Sequence, residues 1–154
     1  MKEISLTIPY PPSVNKIYYN RSISGLKCKR TGKMLRGKGL TKKAADYKRM
    51  VANLIHYTFP HINFGKKDVK ISILSSPSSM RGDNHNGFKI VFDAIELSGI
   101  IENDKQIVAL ELIPAEIRNP PTWDIKIRPY TSLDKILDAV RFWMQGEGKE
   151  DNES

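Results

Sequence analysis

Residues 83–108 read DNHNGFKIVFDAIELSGIIENDKQIV, and this stretch decides how the middle of the chain folds. A helix is predicted over 87–99, because apolar residues recur there at helical spacing, at Phe88, Val91, Phe92 and Ile95. Gly99 suits the position just after a helix, where the backbone often adopts a left-handed conformation. The chain then turns at 102–104, and a strand is predicted over 106–113.

The sequence on either side of this stretch supplies further strands and helices. Runs rich in β-branched or alternating residues predict strands over 4–8, 69–75 and 122–130. Amphipathic helices are predicted over 41–59, with Thr41 as the N-cap, and over 132–145. The last helix places apolar residues on one face: Leu133, Ile136, Leu137, Val140 and Met144. We therefore expect the α+β class, as a single domain with a mixed β-sheet packed with helices.

The composition narrows the class of protein. A chain of 154 residues with 40% hydrophobic residues is long enough for one domain with a real core. No run approaches the roughly 18 apolar residues of a membrane span, and the N-terminus lacks the pattern of a signal peptide. The single cysteine, Cys28, excludes a disulfide framework and a cysteine zinc site. We expect Cys28 to be inert and the protein to be cytoplasmic.

The charge indicates an anionic partner, with nucleic acid first and an acidic membrane surface second. The net charge is +8, and eleven basic residues lie between Arg21 and Arg49, with Asp46 as the only acid. Residues 21–39 are rich in Gly and Lys, and Thr31-Gly32 is suited to the turn of a short hairpin. This segment is either a flexible insertion or an arm that binds nucleic acid. The last eight residues are acidic, and we expect them to be disordered.

The residues that could take part in catalysis or metal binding lie at both ends of the predicted helix 87–99. Asp83 and His85 precede the helix, and Asp104 follows it. A helix that packs back on a sheet can bring these loops together, where two carboxylates and an imidazole would suit Mg²⁺ or Mn²⁺. Such a metal activates water and neutralises charge on a phosphodiester. Lys89 would stabilise the transition state or the leaving group.

Each of these residues also has a purely structural interpretation. Asp83 or Asn84 could be the N-cap of the helix. Lys89 and Asp93 are spaced as an i, i+4 surface ion pair, and Asp104 could be an ordinary turn residue. The sequence pattern alone does not choose between these interpretations.

The chain resembles the RusA family of Holliday-junction resolvases, which are small Mg²⁺-dependent endonucleases often carried by phages. The resemblance rests on ISLTIPYPPSVNKIYY (4–19), LTKKAADYKRMVANLI (40–55) and DNHNGFKIVFDAIELSGIIENDKQIV (83–108). The third stretch is the specific one. It has an acid, an Asn, a Lys three residues later, an F/L-D-A pattern, a Gly that ends the helix and an acid before a strand.

The resemblance implies a role for individual residues. Asp83 and Asp104 match the first and last catalytic aspartates, Lys89 matches the essential lysine and Asn86 matches the asparagine of the motif. His85 occupies the position of the second aspartate, which is the main departure. A neutral imidazole still binds divalent metals but removes one negative charge from the site. The implied metal ligands are Asp83, His85 and Asp104.

The resemblance also implies partners and a domain layout. We expect a homodimer acting on branched DNA, a four-way junction, because its resolution needs paired nicks. Basic residues of the insertion 21–39 are expected to contact the DNA backbone: Lys27, Lys29, Arg30, Lys33 and Arg36. The RusA-like domain would cover 1–130, followed by an additional helix over 131–146 and the acidic tail 147–154. Two alternatives remain: a branched-DNA-binding protein that cuts poorly because of His85, and a nuclease for flaps or forks.

Overall fold

A four-stranded mixed sheet organises the protein in this computed structural model, which describes residues 2–13, 18–27, 29–31, 33–79 and 87–146. In chain order the elements are β1 Ile4–Pro9, β2 Tyr18–Lys27, β3 Met34–Leu40, α1 Lys42–Thr58, β4 Val69–Ser76, α2 Phe88–Leu97, a short 3₁₀ turn Asp104–Gln106, β5 Ile107–Pro114, β6 Thr122–Pro129 and α3 Ser132–Gly146. The sheet order is β1-β6-β4-β5, and β2 and β3 form a separate two-stranded sheet. The predicted α+β class with a mixed sheet is confirmed.

The one parallel pair in this sheet, β4 with β5, requires a crossover connection, and α2 supplies it. β1 and β4 both run antiparallel to β6. α2 buries Ile90, Val91, Ala94 and Ile95 in the core. The apolar stripe predicted for this helix is therefore slightly rotated, since Phe88 and Phe92 are only half-buried at its edge. Gly99 follows the helix with φ +82°, as predicted for a residue in a left-handed conformation.

α1 packs beside α2 on the same core. The predicted N-cap is confirmed, because the Thr41 hydroxyl accepts a hydrogen bond from the amide of Ala44 at 3.3 Å. Val51 and Ile55 are fully buried in the core. Ala52 is also buried, whereas Leu54 is exposed.

The basic segment 21–39 belongs to an antiparallel hairpin formed by β2 and β3, in which Tyr18 pairs with Leu40. The hairpin predicted from Thr31-Gly32 is thus confirmed, although Gly32 lies outside the described residues. Tyr19 of β2 pairs with Gly39 of β3. A Cβ at position 39 would lie 2.9 Å from the Tyr19 ring. Glycine is therefore required here by close approach rather than by its backbone angles.

α3 is attached to the sheet through its acidic side. Asp134 Oδ2 accepts hydrogen bonds from Arg128 Nη1 at 2.8 Å and from the amide of Thr131 at 2.8 Å. Asp138 accepts a hydrogen bond from the Tyr130 hydroxyl at 2.9 Å and lies 3.8 Å from the Lys70 ammonium. The apolar face of α3 does not cover the sheet, because all five predicted face residues are exposed.

The anchoring of α3 depends on Asp134, and replacing it should loosen the whole helix. Asp134→Ala removes the partner of Arg128 and the side chain that caps the Thr131 amide. We expect the amides of α3 to exchange with solvent deuterium about fivefold faster at neutral pH. Lys135→Ala, one residue along the same helix and exposed, is the matched control and should leave exchange unchanged. Equal exchange rates in both variants would contradict this account of the attachment.

The same attachment predicts a pH dependence for α3. Hydrogen bonds from Arg128 and then Thr131 hold the pKa of Asp134 below its ordinary value. A carboxyl with a lowered folded pKa contributes stability above its unfolded pKa, and the contribution is lost as the pH falls through the folded value. In the unmodified protein, the protection of α3 amides, taken as the intrinsic exchange rate at each pH divided by the measured rate, should therefore begin to fall below about pH 4.

Candidate active site

A cluster of three carboxylates and one ammonium group lies at the polar face of α2, and one of the carboxylates comes from the turn before β5. Lys89 Nζ lies 2.7 Å from Asp93 Oδ1, one helical turn further along, and 3.1 Å from Asp104 Oδ2. Glu96 continues the same helical face and accepts a hydrogen bond from the amide of Asp104 at 3.1 Å. α2 therefore holds both the side chain and the backbone of Asp104.

The turn that presents Asp104 is also fixed from its other side. Asn103 caps it by accepting a hydrogen bond from the Lys105 amide at 2.8 Å, and Gln106 completes the capping box by accepting one from the Asn103 amide at 3.0 Å. The Gln106 amide group in turn donates to the carbonyl of Gly65 at 2.6 Å. These contacts tie the turn to the loop before β4, so that Asp104 has little freedom to move away from Lys89.

The cluster carries a local excess of negative charge. Two carboxylates, those of Asp93 and Asp104, contact the single ammonium of Lys89, which leaves an excess of one negative charge in a chain whose net charge is +8. Glu96 lies beside this pair through its contact with the Asp104 amide. Asp93 and Asp104 are 22% and 34% exposed, whereas Lys89 is 61% exposed. The carboxylates thus form the partly buried base of the site, and the lysine extends over them towards solvent.

The lysine is held in its charged form. Its pKa is raised above the ordinary value, because the ammonium donates hydrogen bonds to Asp93 and Asp104 and lies in their electrostatic field, against a smaller opposing effect of burial. Lys89 therefore cannot serve as a base near neutral pH. Its chemistry is that of a fixed positive charge.

Aromatic packing fixes the start of α2. The Phe88 ring lies 5.4 Å from that of Trp123, which in turn lies 5.7 Å from that of Tyr10. Gly87 precedes the helix, and a Cβ there would lie 2.1 Å from Pro11. Any larger residue would push the N-terminal PYPP turn away from α2, so glycine is required at this junction.

The structure brings together two of the four predicted catalytic residues, Lys89 and Asp104. The other two, Asp83 and His85, lie outside the described residues, as does Asn86. The suggestion that Asp83 or Asn84 caps α2 is wrong, because the N-cap is Gly87. The predicted ion pair between Lys89 and Asp93 is confirmed.

Asp93 and Glu96 were not predicted as members of the site. The sequence did contain the signal, since Lys89, Asp93 and Glu96 recur at i, i+4 and i+7 and so share one helical face. It did not show that Asp104 would lie against that face. Only the packing of the turn on α2 reveals that Asp93 and Asp104 share one ammonium.

The donor atoms of the cluster fit a divalent cation of the Mg²⁺ or Mn²⁺ kind, which prefers carboxylate oxygens. Within the described part of the chain, no three His, Cys, Asp or Glu residues are grouped closely enough to form a metal site by themselves. A complete site would therefore need ligands from elsewhere in addition to Asp104.

The predicted DNA-binding residues are partly described. Lys29, Arg30 and Lys33 are exposed at the connection between β2 and β3. The side chains of Lys27 and Arg36 lie outside the described part of the structure. Among the described residues, these three cations form no ion pair, which is compatible with contacts to phosphate.

A groove of about 580 Å³ lies on the strands and is separate from the cluster on α2. Its lining residues come from β1, β4, β5 and β6, and they include Leu74, Ile113 and Asp124. The Asp124 carboxylate already accepts hydrogen bonds from the side chains of Thr7 and Arg118. The groove receives no contribution from α2, on which the predicted catalytic residue Lys89 lies, so the cluster is the better candidate for chemistry.

Comparison with known protein families matches residues 26–128 to the family described as Endodeoxyribonuclease RusA. The match covers about two thirds of the chain, and the chain therefore belongs to the RusA family. It is an endodeoxyribonuclease, a hydrolase of DNA phosphodiester bonds, in a family that resolves Holliday junctions. The match includes β4, α2, the Asp104 turn and β5, and it ends before α3.

No curated protein matches the chain. None of the described helices has both the length and the apolar character that crossing a bilayer demands.

Proposed function

We propose that the protein is a Mg²⁺- or Mn²⁺-dependent enzyme that resolves four-way DNA junctions by paired nicks and acts as a homodimer. The observation that carries the proposal is the shared ammonium of Lys89, which lies between Asp93 and Asp104 in an endodeoxyribonuclease. A fixed cation beside exposed carboxylate oxygens suits the hydrolysis of an anionic phosphodiester.

Asp83, His85 and Asp104 are the proposed metal ligands, and Asn86 is proposed to orient the site. The bound ion would supply an activated water and neutralise charge on the phosphate. The partly exposed carboxylate of Asp104 and the local excess of negative charge support this assignment. The substitution of an aspartate by His85 lowers the negative charge of the ligand set and favours softer Mn²⁺ relative to Mg²⁺.

Lys89 is proposed to stabilise the charge that develops on the phosphate or on the leaving oxygen. Its raised pKa keeps it cationic throughout the neutral range, so this contribution is electrostatic. The side chain is largely exposed and reaches beyond the carboxylates, which is the geometry that contact with a bound DNA strand requires.

Asp93 is proposed as a positioning residue for Lys89. Its oxygen lies closer to the ammonium than that of Asp104 does, at 2.7 Å against 3.1 Å. When Asp104 acts as a metal ligand, the ammonium of Lys89 must give up part of its contact with that carboxylate. Asp93 then retains the lysine beside the site and prevents it from competing for Asp104.

The basic hairpin is proposed to bind the DNA backbone through Lys27, Lys29, Arg30, Lys33 and Arg36. The exposure of Lys29, Arg30 and Lys33 supports this role. Binding by several phosphate contacts should weaken steeply as the salt concentration rises. Selectivity for the junction would come mainly from the shape of the branch rather than from base edges.

Cleavage of defined DNA substrates tests the proposed function. We expect paired nicks near the crossover of a labelled four-way junction with Mg²⁺ or Mn²⁺, and little cutting of linear duplex. Asp83→Asn and Asp104→Asn should each lower the rate by about 100-fold or more. Asp46→Asn is the matched control, because Asp46 forms an exposed pair with Arg49 on α1 at 3.0 Å.

The other outcomes separate the alternatives. Tight junction binding without cleavage under any metal would indicate a branched-DNA-binding protein. Preferred cutting of flaps or forks would indicate a different nuclease on the same scaffold. Equal cutting of linear duplex would contradict a junction resolvase.

Substitution of Asp93 tests its role as a positioning residue. In Asp93→Asn the Lys89 ammonium has only Asp104 as an acidic partner, and it then competes with the metal for that carboxylate. We therefore expect the affinity for Mn²⁺, measured by calorimetry, to fall about tenfold. In the double variant Asp93→Asn, Lys89→Gln the competing ammonium is absent, and the affinity should recover. An unchanged affinity in Asp93→Asn, or no recovery in the double variant, would exclude this role.

Substitution of His85 tests whether it is a metal ligand. His85→Asp restores a charge to the ligand set, so the preference between Mg²⁺ and Mn²⁺ in cleavage should shift by about tenfold towards Mg²⁺. An unaltered metal preference would exclude His85 from the ligand set.

A further inference from the structure

The side chain of Gln106, at the end of the turn before β5, uses all of its hydrogen-bonding capacity. Its Oε1 atom accepts hydrogen bonds from the backbone amides of Glu102 at 2.8 Å and Asn103 at 3.0 Å. Its Nε2 atom donates to the backbone carbonyls of Gly65 at 2.6 Å and Lys67 at 2.8 Å. A side-chain amide has two donors and two acceptor sites, so all four are occupied here.

These four partners also fix the orientation of the Gln106 amide. Backbone amides can only donate and backbone carbonyls can only accept, so the oxygen must face the turn and the nitrogen must face the loop before β4. A carboxylate of the same shape would keep the two amides but would place an anionic oxygen against two carbonyl oxygens. Position 106 therefore requires an amide, and glutamate is a poor replacement although its size is the same.

The loop that receives these two hydrogen bonds also holds the end of α2. We call residues 63–67, between α1 and β4, the bracket loop. Asn63 Nδ2 donates to the carbonyl of Gly99 at 2.8 Å, and the amide of Phe64 donates to the carbonyl of Ile100 at 2.8 Å. The bracket loop therefore contacts the segment between α2 and β5 at both of its ends.

The conformation of the bracket loop is fixed by its own residues. Gly65 has φ +59°, a left-handed conformation that favours glycine, and its amide donates to the side-chain oxygen of Asn63. Phe64, which lies between these two residues, is only 5% exposed and belongs to the core. The loop is thus anchored in the core, and it provides a fixed reference for the turn before β5.

Gln106 lies where the parallel pairing of β4 with β5 begins irregularly. Val69 pairs with Ile107, but Lys70 pairs with Ala109, so β5 has one extra residue at this point. On the N-terminal side of this irregularity, the Gln106 side chain joins the chain before β4 to the turn before β5. A side chain thus takes over the linking role that backbone hydrogen bonds have further along the two strands.

We infer that Gln106 is a positioning residue of the active site, which sets the Asp104 carboxylate against Lys89 by holding the Asp104 turn on the bracket loop. Asp104 lies in the same 3₁₀ turn, with its amide 3.1 Å from Glu96 and its carboxylate 3.1 Å from Lys89 Nζ. α2 thus holds the turn from one side and the bracket loop holds it from the other. The inference rests on the proposed function in one respect, namely that Asp104 is a metal ligand.

The two holds on the turn differ in their consequences for metal binding. The contact with Lys89 uses the carboxylate oxygens of Asp104, which a metal would also use. The contacts of Gln106 involve only backbone atoms of the turn and of the bracket loop, so they persist when Asp104 binds a metal. Gln106 therefore orients Asp104 without occupying its oxygens, as residues that support metal ligands from outside the coordination shell do.

The first test uses the metal-free full chain and involves no cleavage. In Gln106→Glu the new carboxylate faces the carbonyls of Gly65 and Lys67, so we expect the turn to separate from the bracket loop. Amides of residues 104–106 should exchange with solvent deuterium about tenfold faster at neutral pH, and the NMR signal of the labelled Lys89 side chain should shift. Exchange in α1 should stay unchanged, which would show that the fold persists.

The second test is the affinity for Mn²⁺, measured by calorimetry. Gln106→Glu adds a negative charge close to the site, and by electrostatics alone it would bind Mn²⁺ more tightly. The positioning role predicts the opposite, a loss of about tenfold, and Gln106→Ala should lose affinity as well. Asn53→Ala is the matched control, because Asn53 is an exposed amide on α1, and its affinity should be unchanged.

A variant of the bracket loop tests the same role from the other side. Asn63→Ala removes the bonds to Gly99 and Gly65, so it should also weaken Mn²⁺ binding although it lies far from Asp104 in the sequence. Because both side chains act through the bracket loop, the losses in Asn63→Ala, Gln106→Ala should be less than additive. Full additivity would contradict a shared path through the loop.

Cleavage assays keep the inference separate from the proposed function. Gln106→Glu should bind a four-way junction as the unmodified protein does, cut it more slowly at low Mn²⁺ and recover as Mn²⁺ is raised. Loss of Mn²⁺ binding in Asp104→Asn, without junction cleavage by the unmodified protein, would contradict the proposed function alone. Unchanged exchange of residues 104–106 in Gln106→Glu, or an Mn²⁺ affinity equal to or above that of the unmodified protein, would overturn the inference.

Discussion

The parallel pairing of β4 with β5 determines where α2 lies, because a parallel pair can be joined only by a chain that crosses the sheet and returns. α2 makes that crossing with its apolar side on the core, and its polar side must then face away from the sheet. The turn before β5 lies against this polar side, held by Glu96 and Gln106. The contact between Lys89 and Asp104 follows from this path of the chain and needs no long loop to bring the two residues together.

The local charge of the site contrasts with that of the protein as a whole. A strongly basic chain attracts anionic DNA over long distances, whereas Asp93 and Asp104 at the polar face of α2 form a locally acidic group. Lys89 neutralises part of this acidic group. In the proposed function, the basic hairpin attracts the substrate and the polar face of α2 provides the residues for the chemistry.

The sequence predicted local features well where a residue pattern is compatible with only one backbone conformation. The Thr41 cap and Gly99 after α2 both depend on local geometry, and both are confirmed. Sequence patterns failed where the position of a side chain depends on which residues of another element pack against it. A stripe along α3 shows that an apolar face exists, but only the contacts of Asp134 reveal that the face points away from the sheet. The spacing of Lys89 and Asp93 likewise predicted an ordinary ion pair, and the third partner, Asp104, became visible only through tertiary packing.

We propose that the Lys89 ammonium, which Asp93 and Asp104 share, keeps Asp93 and gives up part of its contact with Asp104 when Asp104 binds a metal. NMR of the protein with labelled Lys side chains and labelled Asp carboxyl carbons reports both groups during a titration with Mg²⁺. The account predicts that the Lys89 ammonium and the Asp104 carboxyl signals shift together, with one dissociation constant, while the Asp93 contact to Lys89 persists. Metal-dependent junction cleavage with no change in either the Lys89 or the Asp104 signal would contradict it.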